Sequence, residues 1–164
     1  MKKLLLVFAV LYLNCFNIKA KDYIIESQGK RFFVKEHIYS KKDSLKVFKL
    51  EGTFKDNAGN FGEFNSIVNV KIVNNVIKSL DASNEFFYNK NIKAYNIAIR
   101  ENNELEQGVG KWYFNYASID INAIINSECF YSIRYYKDNY LTLAKCNISK
   151  KAFEQINNIK QLLK

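Results

Sequence analysis

The stretch Ser127–Cys146, SECFYSIRYYKDNYLTLAKC, contains two strand-like runs joined across Lys137-Asp138. Folding the chain back at this point places Cys129 opposite Cys146 in an antiparallel pair. Directly opposed residues of such a pair are close enough at Cβ to form a disulfide without movement of the backbone. The sequence therefore predicts a β-hairpin that a disulfide closes at its open end.

The first twenty residues have the pattern of a secretory signal peptide. Lys2 and Lys3 precede an apolar run, 4–13, and the small residue Ala20 ends the segment. We expect cleavage before Lys21, which leaves two cysteines in the mature chain and suits an oxidising compartment. The sequence therefore predicts an exported protein, periplasmic or extracellular.

A competing interpretation makes Cys15 the lipidated residue of a bacterial lipoprotein, because this cysteine follows an apolar run. Asn14 is bulkier than the small residue that usually precedes such a cysteine. Lipidation would give a membrane-anchored protein. After the signal segment, no stretch is apolar and long enough to predict a transmembrane helix.

Residues 21–164 have the size of a single domain. The whole chain of 164 residues carries a formal charge of +9, and three of its 25 basic residues lie in the signal segment, so 22 basic and 16 acidic residues leave +6. This excess favours anionic ligands or surfaces by long-range attraction. The basic doublets Lys41-Lys42 and Lys150-Lys151 are isolated, so we expect no nucleic-acid binding.

Alternation of apolar and polar residues predicts strands in most of the mature chain. The predicted strands are 22–25, 31–40, 45–54, 61–82 with a tight turn at 74–75, 92–100, 112–117 and the two arms of the hairpin. Helix is the rival for 61–82, where apolar residues also recur at helical spacing, but the β-branched content favours strands.

Within 31–40 we expect one face of the strand to be buried and the other to face solvent. The buried face would hold Phe32, Val34 and Ile38, and His37 would lie on the solvent face. His37 is the only histidine of the chain, which excludes by count a histidine-based triad and a multi-histidine metal site.

The connections between strands predict turns and one terminal helix. Gln28-Gly29 is predicted as a turn, Ser83–Asn91 as a polar and aromatic connection, and Ser118–Ser127 as either a helical turn or a loop across an opening. The tail predicts an amphipathic helix at about 149–163 with Ser149 as its N-cap. Its apolar face would consist of Ala152, Phe153, Ile156, Ile159 and Leu163.

Short strands at about ten-residue spacing with hairpin turns favour a mainly β fold. We predict a small antiparallel β-barrel of about eight strands with a C-terminal α-helix. The alternative is a β-sandwich.

Two groups of motifs carry a resemblance to a known family. Gly52–Gly62, GTFKDNAGNFG, runs from a strand into Asp-x-x-Gly-Asn-x-Gly, and Gly108–Trp112, GVGKW, is followed by Cys129–Tyr131 and a closing Cys146. In these motifs the chain resembles small exported bacterial proteins related to the allene oxide cyclase and dirigent type of calycin-like barrel. The resemblance covers about half of the mature chain and implies an eight-stranded antiparallel barrel with a central cavity. The segment after Trp112 lacks the glycines of the family's next turn, and no catalytic residue is carried over.

Arg134 is the first candidate for ligand binding. In the predicted hairpin it shares a face with Phe130 and Leu141, opposite the disulfide, so an inward orientation of that face would bury the guanidinium. A buried arginine needs an anionic or multiply hydrogen-bonding partner, either a ligand or a carboxylate of the protein. An outward-facing strand is the alternative. Arg100, at the end of its strand, is a second candidate on the same argument.

Trp112, Tyr131 and Tyr95 complete the predicted binding residues. Aromatic side chains stack on sugars or line apolar cavities, and packing in the core is the alternative for each. Asp56, Asn60 and Glu63 supply oxygen atoms in one loop, but their spacing does not match an EF-hand, so a plain turn is favoured over a calcium site.

These observations predict a non-enzymatic exported barrel that holds a small apolar or anionic ligand, with no cofactor, no metal and no catalytic residue. The alternative is a structural or protein-interaction module of the cell envelope, which docks through an exposed aromatic or basic face. A cyclase or isomerase, by analogy of fold, ranks third and requires a carboxylate inside the cavity.

Overall fold

The computed structural model describes residues 21–100 and 104–162, which form a closed antiparallel β-barrel. Each strand pairs with its neighbours in sequence, and the last strand pairs with the first. The strands are β1 (Lys21–Ile38), β2 (Ser44–Asp56), β3 (Phe61–Val73), β4 (Val76–Phe87), β5 (Lys93–Arg100), β6 (Gln107–Ala117), β7 (Glu128–Tyr136) and β8 (Asn139–Ile148). A 3-10 helix (Ile119–Ile124) precedes β7, and helices α1 (Lys150–Asn157) and α2 (Ile159–Leu162) follow β8.

This architecture confirms the predicted mainly β fold, its eight antiparallel strands and its C-terminal helix, and it excludes a two-sheet sandwich. The predicted signal segment, with Cys15 and its alternative lipidation, lies outside the described residues. No helix of the described ranges is long and apolar enough to cross a membrane.

The hairpin of β7 and β8 has the predicted register. Tyr135 pairs with Tyr140, and Cys129 pairs with Cys146 at the open end, where the two cysteines form a buried disulfide. Lys137 begins the connecting turn with a φ of 53°. The positions of the two cysteines in the sequence therefore predict the register of this hairpin correctly.

The turn predicted at Gln28-Gly29 is wrong, because β1 runs through it without a break. Gly29 lies directly opposite Gly52 of β2. A Cβ atom on Gly29 would lie 2.0 Å from the carbonyl oxygen of Glu51, so this glycine serves the close approach of two backbones. Gly29 therefore allows two strands to approach closely and does not mark the end of a strand.

The second half of β1 also differs from its predicted face. All three residues expected on the buried face are exposed: Phe32, Val34 and Ile38. The register with β2 shifts between Phe33 and Lys35, which reverses the alternation beyond that point. Phe33 instead contacts Phe48 ring to ring at 5.9 Å. His37 is exposed, as predicted.

One other connection is shorter than predicted, and two agree with the sequence analysis. Ser83–Asn91 is not a connection over its whole length, because β4 extends to Phe87 and places Asn84 in the barrel interior. The turn at Asn74-Asn75 is confirmed, with φ of 54° and 61°, and helix is excluded for the segment around it. The ambiguous segment Ser118–Ser127 contains the 3-10 helix.

Helices close one end of the barrel, which we call the plugged end. Its buried side chains are Ile121 and Ile124 from the 3-10 helix and Ala152, Ile156 and Ile159 from the C-terminal segment. The Ser149 Oγ accepts a 3.1 Å hydrogen bond from the Ala152 N–H, which confirms the predicted N-cap. The predicted single helix is divided at Asn158, and Leu163 lies outside the described residues.

The other end, which we call the extended end, is formed by longer strands. β1 pairs with β8 only as far as Lys30 but with β2 as far as Ile38, so the sheet projects beyond the closed part of the barrel. Between the two ends, aromatic rings fill the interior. Their contacts join Phe54, Phe64, Phe86, Trp112 and Phe114, with ring centroids 4.9 to 6.2 Å apart.

Candidate binding site inside the barrel

Buried polar side chains from five strands form a belt in the barrel interior. We call this set the polar belt: Ser27, Ser66, Asn84, Asn96, Arg100, Tyr140 and Thr142. Each of these residues is at most 8% exposed. A barrel interior built only for packing would hold apolar side chains at such positions, so the belt needs a separate physical account.

The polar belt does not complete its own hydrogen bonds. The Asn84 Nδ2 donates to the Asn96 Oδ1 at 2.6 Å. Within the described residues, five other polar atoms of the belt have no partner: Ser27 Oγ, Ser66 Oγ, Asn96 Nδ2, Arg100 Nε and Tyr140 OH. A buried polar atom left without a partner costs about 1–3 kcal/mol, so five of them would cost as much as a domain's whole stability. We therefore expect several of them to bond to groups beyond the described residues, such as water or a ligand.

A cavity of about 20 Å³ adjoins the polar belt. Ser66, Asn84, Arg100 and Thr142 supply polar groups to its wall, and Trp112 lies on the same wall. This volume has room for roughly one water molecule. Without movement of its lining side chains, the cavity therefore fits a water molecule or a ligand of only a few atoms.

Arg100 is the charged member of the polar belt and is 8% exposed. Its Nη1 donates to the carbonyl oxygens of Glu104, Leu105 and Gln107. None of the ion pairs formed among residues 21–100 and 104–162 includes Arg100. The guanidinium is thus held by backbone carbonyls and by a side-chain hydrogen bond with Tyr135, while no described carboxylate matches its charge.

Arg31 lies at the extended end beside the same segment. It forms a 3.3 Å ion pair with Glu106 and lies over the ring of Tyr135 at 4.5 Å. Burial raises the pKa of the Tyr135 hydroxyl, and the positive charges of Arg100 and Arg31 oppose that shift. The charges of Arg100 and Arg31 therefore both lower the pKa of the buried Tyr135 hydroxyl, which lies on the side of the cavity nearer the extended end.

The structure brings three of the five predicted binding residues together. Arg100, Trp112 and Tyr131 all line the cavity, and the rings of Trp112 and Tyr131 stack with centroids 5.4 Å apart. A role of these three residues in ligand binding stays a prediction.

Arg134 and Tyr95 lie on the outer surface of the barrel. The inward face of β7 carries Cys129, Tyr131 and Tyr135. Arg134 lies on the opposite face, so its guanidinium is not buried in the barrel. Tyr95 is half-buried and contacts Tyr116 at 5.5 Å between ring centroids. Any ligand of these two residues would bind outside the barrel.

Sequence reasoning missed the remaining polar belt. Ser66 alternates with Phe64 and Val68, and Thr142 alternates with Tyr140 and Ala144. A small polar residue between two apolar ones at a spacing of two is the available signal. This pattern indicates a binding site only when the strand register shows that these positions face the barrel interior.

A different polar cluster lies at the plugged end. The Asp56 carboxylate accepts hydrogen bonds from the Tyr23 hydroxyl at 2.9 Å and from the Asn60 N–H at 2.8 Å. The Asn60 Nδ2 donates to Asp56 and to the carbonyl of Ile156 in α1. These bonds explain the loop as a structural turn. In the described part of the chain, no three His, Cys, Asp or Glu residues are grouped to hold a metal.

Asp56 is the buried carboxylate of the described residues, and it does not line the cavity. Burial, followed by the charges of Tyr88 and Asp56, raises the pKa of the Tyr23 hydroxyl well above its usual value. The carboxylate that a cyclase or isomerase would need is thus at the opposite end from the candidate site.

Comparisons of the chain with protein-family models, with curated proteins and with solved structures found no match. The closed eight-stranded barrel is the architecture that the allene oxide cyclase and dirigent resemblance implies. Membership of that family stays a prediction.

Proposed function

We propose that this protein is an exported, non-enzymatic binding protein that holds a small ligand in the polar belt of its barrel. The observation that supports the proposal is the set of five belt atoms without partners in the described residues. Protein interiors complete such bonds with protein, water or ligand. A binding role accounts for polar groups that packing alone would exclude.

The cavity limits the ligand and its affinity. The best small ligands gain about 1.5 kcal/mol per non-hydrogen atom, so an occupant of about four atoms reaches a Kd on the order of 10⁻⁵ to 10⁻⁴ M. A larger ligand requires the aromatic rings beside the cavity to move. The proposal therefore concerns a small ligand at modest affinity.

Export is supported by two independent features. The first 20 residues have the signal-peptide pattern, and Cys129 and Cys146 form a buried disulfide. Intact mass spectrometry of protein exported by a bacterial host tests this directly. Cleavage before Lys21 with a mass two hydrogens light until reduction supports export as a free protein, and an acylated Cys15 supports the anchored alternative.

The binding function is tested by a thermal-shift screen of small polar compounds against the mature chain and against Ser66→Val. The variant replaces the Ser66 hydroxyl by two methyl groups and so fills the cavity from its own wall, at a cost of about 1–3 kcal/mol in stability. Compounds that bind in the belt are expected to raise the Tm of the wild type and to leave the variant unchanged. If every compound shifts both proteins equally, the proposed function is wrong.

A second candidate, a docking module of the cell envelope, is favoured by one feature of the outer surface. The register places Val109, Ser132 and Leu143 side by side on β6, β7 and β8. Exposed Val109, Leu141 and Leu143 border a groove of about 540 Å³ above the small Ser132. Exposed apolar surfaces of this kind often bind other proteins.

The two candidates respond to different substitutions. Leu141→Lys combined with Leu143→Lys places two charges in the outer groove and is expected to abolish cross-linking to an envelope partner while leaving ligand stabilisation intact. Ser66→Val is expected to do the reverse. A partner that cross-links equally to both variants would contradict docking through this groove.

A further inference from the structure

The three arginines of the chain have three different surroundings. Arg134 is exposed to solvent, and Arg31 forms an ion pair with Glu106. Arg100 is buried, and no carboxylate of the described residues pairs with it. It is therefore the arginine whose charge is both desolvated and unmatched.

The hydrogen bonds of Arg100 leave one part of its guanidinium available. All three carbonyl bonds use Nη1, whereas Nε has no partner. Carbonyl oxygens accept hydrogen bonds but carry no net charge, so they satisfy the donor without neutralising the cation. A buried cation is stable when an anion joins it, and a carboxylate matches the planar donor geometry of a guanidinium.

The cavity supplies the place for that anion. Arg100 and Ser66 both lie on its wall, and the Ser66 hydroxyl is a second donor without a partner. The volume of about 20 Å³ admits a group of a few atoms. The nearby Arg31 adds positive charge, and its own counter-ion Glu106 is largely exposed and therefore screened by solvent.

We infer that the ligand of the barrel is a small carboxylate monoanion that binds Arg100 in the interior cavity. This inference rests on the proposed function and specifies its ligand. Formate, with three non-hydrogen atoms, is the carboxylate nearest in size to the cavity of about 20 Å³, and acetate requires the side chains that line the cavity to move. The acid group of a longer molecule has the same chemistry but would need the rest of that molecule to pass between the aromatic side chains.

The test is an NMR titration of the ¹⁵N-labelled mature chain with sodium formate, at ionic strength held constant with sodium chloride. The Nε–Hε signal of Arg100 reports on the atom that the ligand is inferred to reach. We expect a saturable shift of this signal with half-saturation in the millimolar range or below. Acetate should give the same shift if the site accepts a free carboxylate. A shift with butyrate as well would show that the site also accepts the acid group of a longer molecule.

Two variants control the titration. Ser66→Val fills the cavity without touching the carbonyl bonds of Arg100, and it should weaken formate binding at least tenfold. Arg134→Gln removes the exposed arginine and should leave the titration unchanged. A shift that grows linearly and equally at Arg31, Arg100 and Arg134 would mean general screening of charge and would overturn the inference.

Failure of the inference differs from failure of the proposed function. If formate, acetate and butyrate leave the Arg100 signal in place while a neutral compound stabilises the wild type but not Ser66→Val, the anion is wrong and the binding barrel stands. If no compound of either kind distinguishes the wild type from Ser66→Val, both are wrong.

Discussion

The plugged end and the polar belt bury polar side chains in opposite ways. At the plugged end, Asp56 accepts bonds from Tyr23 and from two donors of Asn60, and one atom of the cluster, Asn60 Oδ1, has no partner. In the polar belt, five atoms have no partner among the described residues. All but one atom of the first cluster are bonded within the protein, whereas the polar belt requires partners beyond the described residues.

The difference separates a structural network from a site. The Asp56 cluster connects β1, the turn before β3 and α1, so its bonds hold the helix against the barrel. A fully bonded buried network rigidifies a fold, and a partly bonded one is costly unless it is completed by water or ligand. The same residue types therefore indicate stability at one end and binding at the other.

The largest effect is expected from breaking the plugged-end cluster. Asp56→Ala removes the acceptor of Tyr23 and of two Asn60 donors and should lower the free energy of unfolding by about 4 kcal/mol. Urea unfolding measures the change. Asp120→Asn, at an exposed acid, is the control and should stay within about 0.5 kcal/mol of the wild type. A loss below about 1 kcal/mol for Asp56→Ala would contradict a structural role of the Asp56 cluster.

Removal of the disulfide is expected to rank second. Cys129→Ala with Cys146→Ala releases a cross-link between residues 17 apart and should cost about 3 kcal/mol. Oxidised and reduced wild-type protein, unfolded in parallel, provides the control, because reduction should reproduce the loss. Equal stability of the oxidised wild type and the double variant would contradict the predicted contribution of the hairpin's closed end.

Alkaline pH should destabilise the fold through both regions. Burial raises the pKa of the hydroxyls of Tyr23 at the plugged end and Tyr140 in the belt. The unfolded chain releases these protons near pH 10 while the folded chain keeps them. The free energy of unfolding is therefore fully maintained below about pH 10 and falls above it, by at most about 1.4 kcal/mol per pH unit for each group.

Single tyrosine variants sharpen that comparison. Tyr23→Phe loses bonds to Asp56 and Tyr88 and should cost about 2 kcal/mol at neutral pH. Tyr140→Phe removes a belt hydroxyl that water or ligand completes, so it should cost about 1 kcal/mol at neutral pH, less than Tyr23→Phe. It should also remove the contribution of one tyrosine from the loss of stability above about pH 10. A Tyr140→Phe curve parallel to the wild type above about pH 10 would contradict the assignment.

The smallest effects are expected from hydroxyls of the polar belt. Ser27→Ala removes an atom without a described partner. If the belt is completed by water or ligand, the variant should lose about 1 kcal/mol, whereas an empty belt predicts equal or greater stability. Thermal unfolding with and without formate decides between them, and Arg134→Gln should match the wild type in both conditions.

The fold was largely predictable because its strongest signals are local. Alternation located most strands, the paired asparagines located one turn, and the opposed cysteines located the last hairpin and its register. The errors came from features that depend on distant partners. Gly29 is a glycine because it lies against Gly52 of β2, and Phe32 faces outward because β1 continues through Gly29 with Tyr23 and Ile25 on its inner face.

The site was less predictable for the same physical reason. Large or charged side chains in strands predict Trp112, Tyr131 and Arg100, and the structure brings these residues to one cavity. For Arg134 the sequence leaves open which way its face of the strand points, and the structure places it outside the barrel. Ser66 and Asn96 lie between apolar residues at a spacing of two, but this signal is weak because a small polar residue in a strand is ordinary until closure of the barrel places it inside.

The most direct test of the account is a crystal structure of the mature chain, grown with formate, at a resolution that shows ordered water. The account predicts density beside the Arg100 Nε that fits a carboxylate, together with ordered water or ligand bonded to the other open atoms of the polar belt. A dry cavity, or a carboxylate of the protein paired with Arg100, would contradict it.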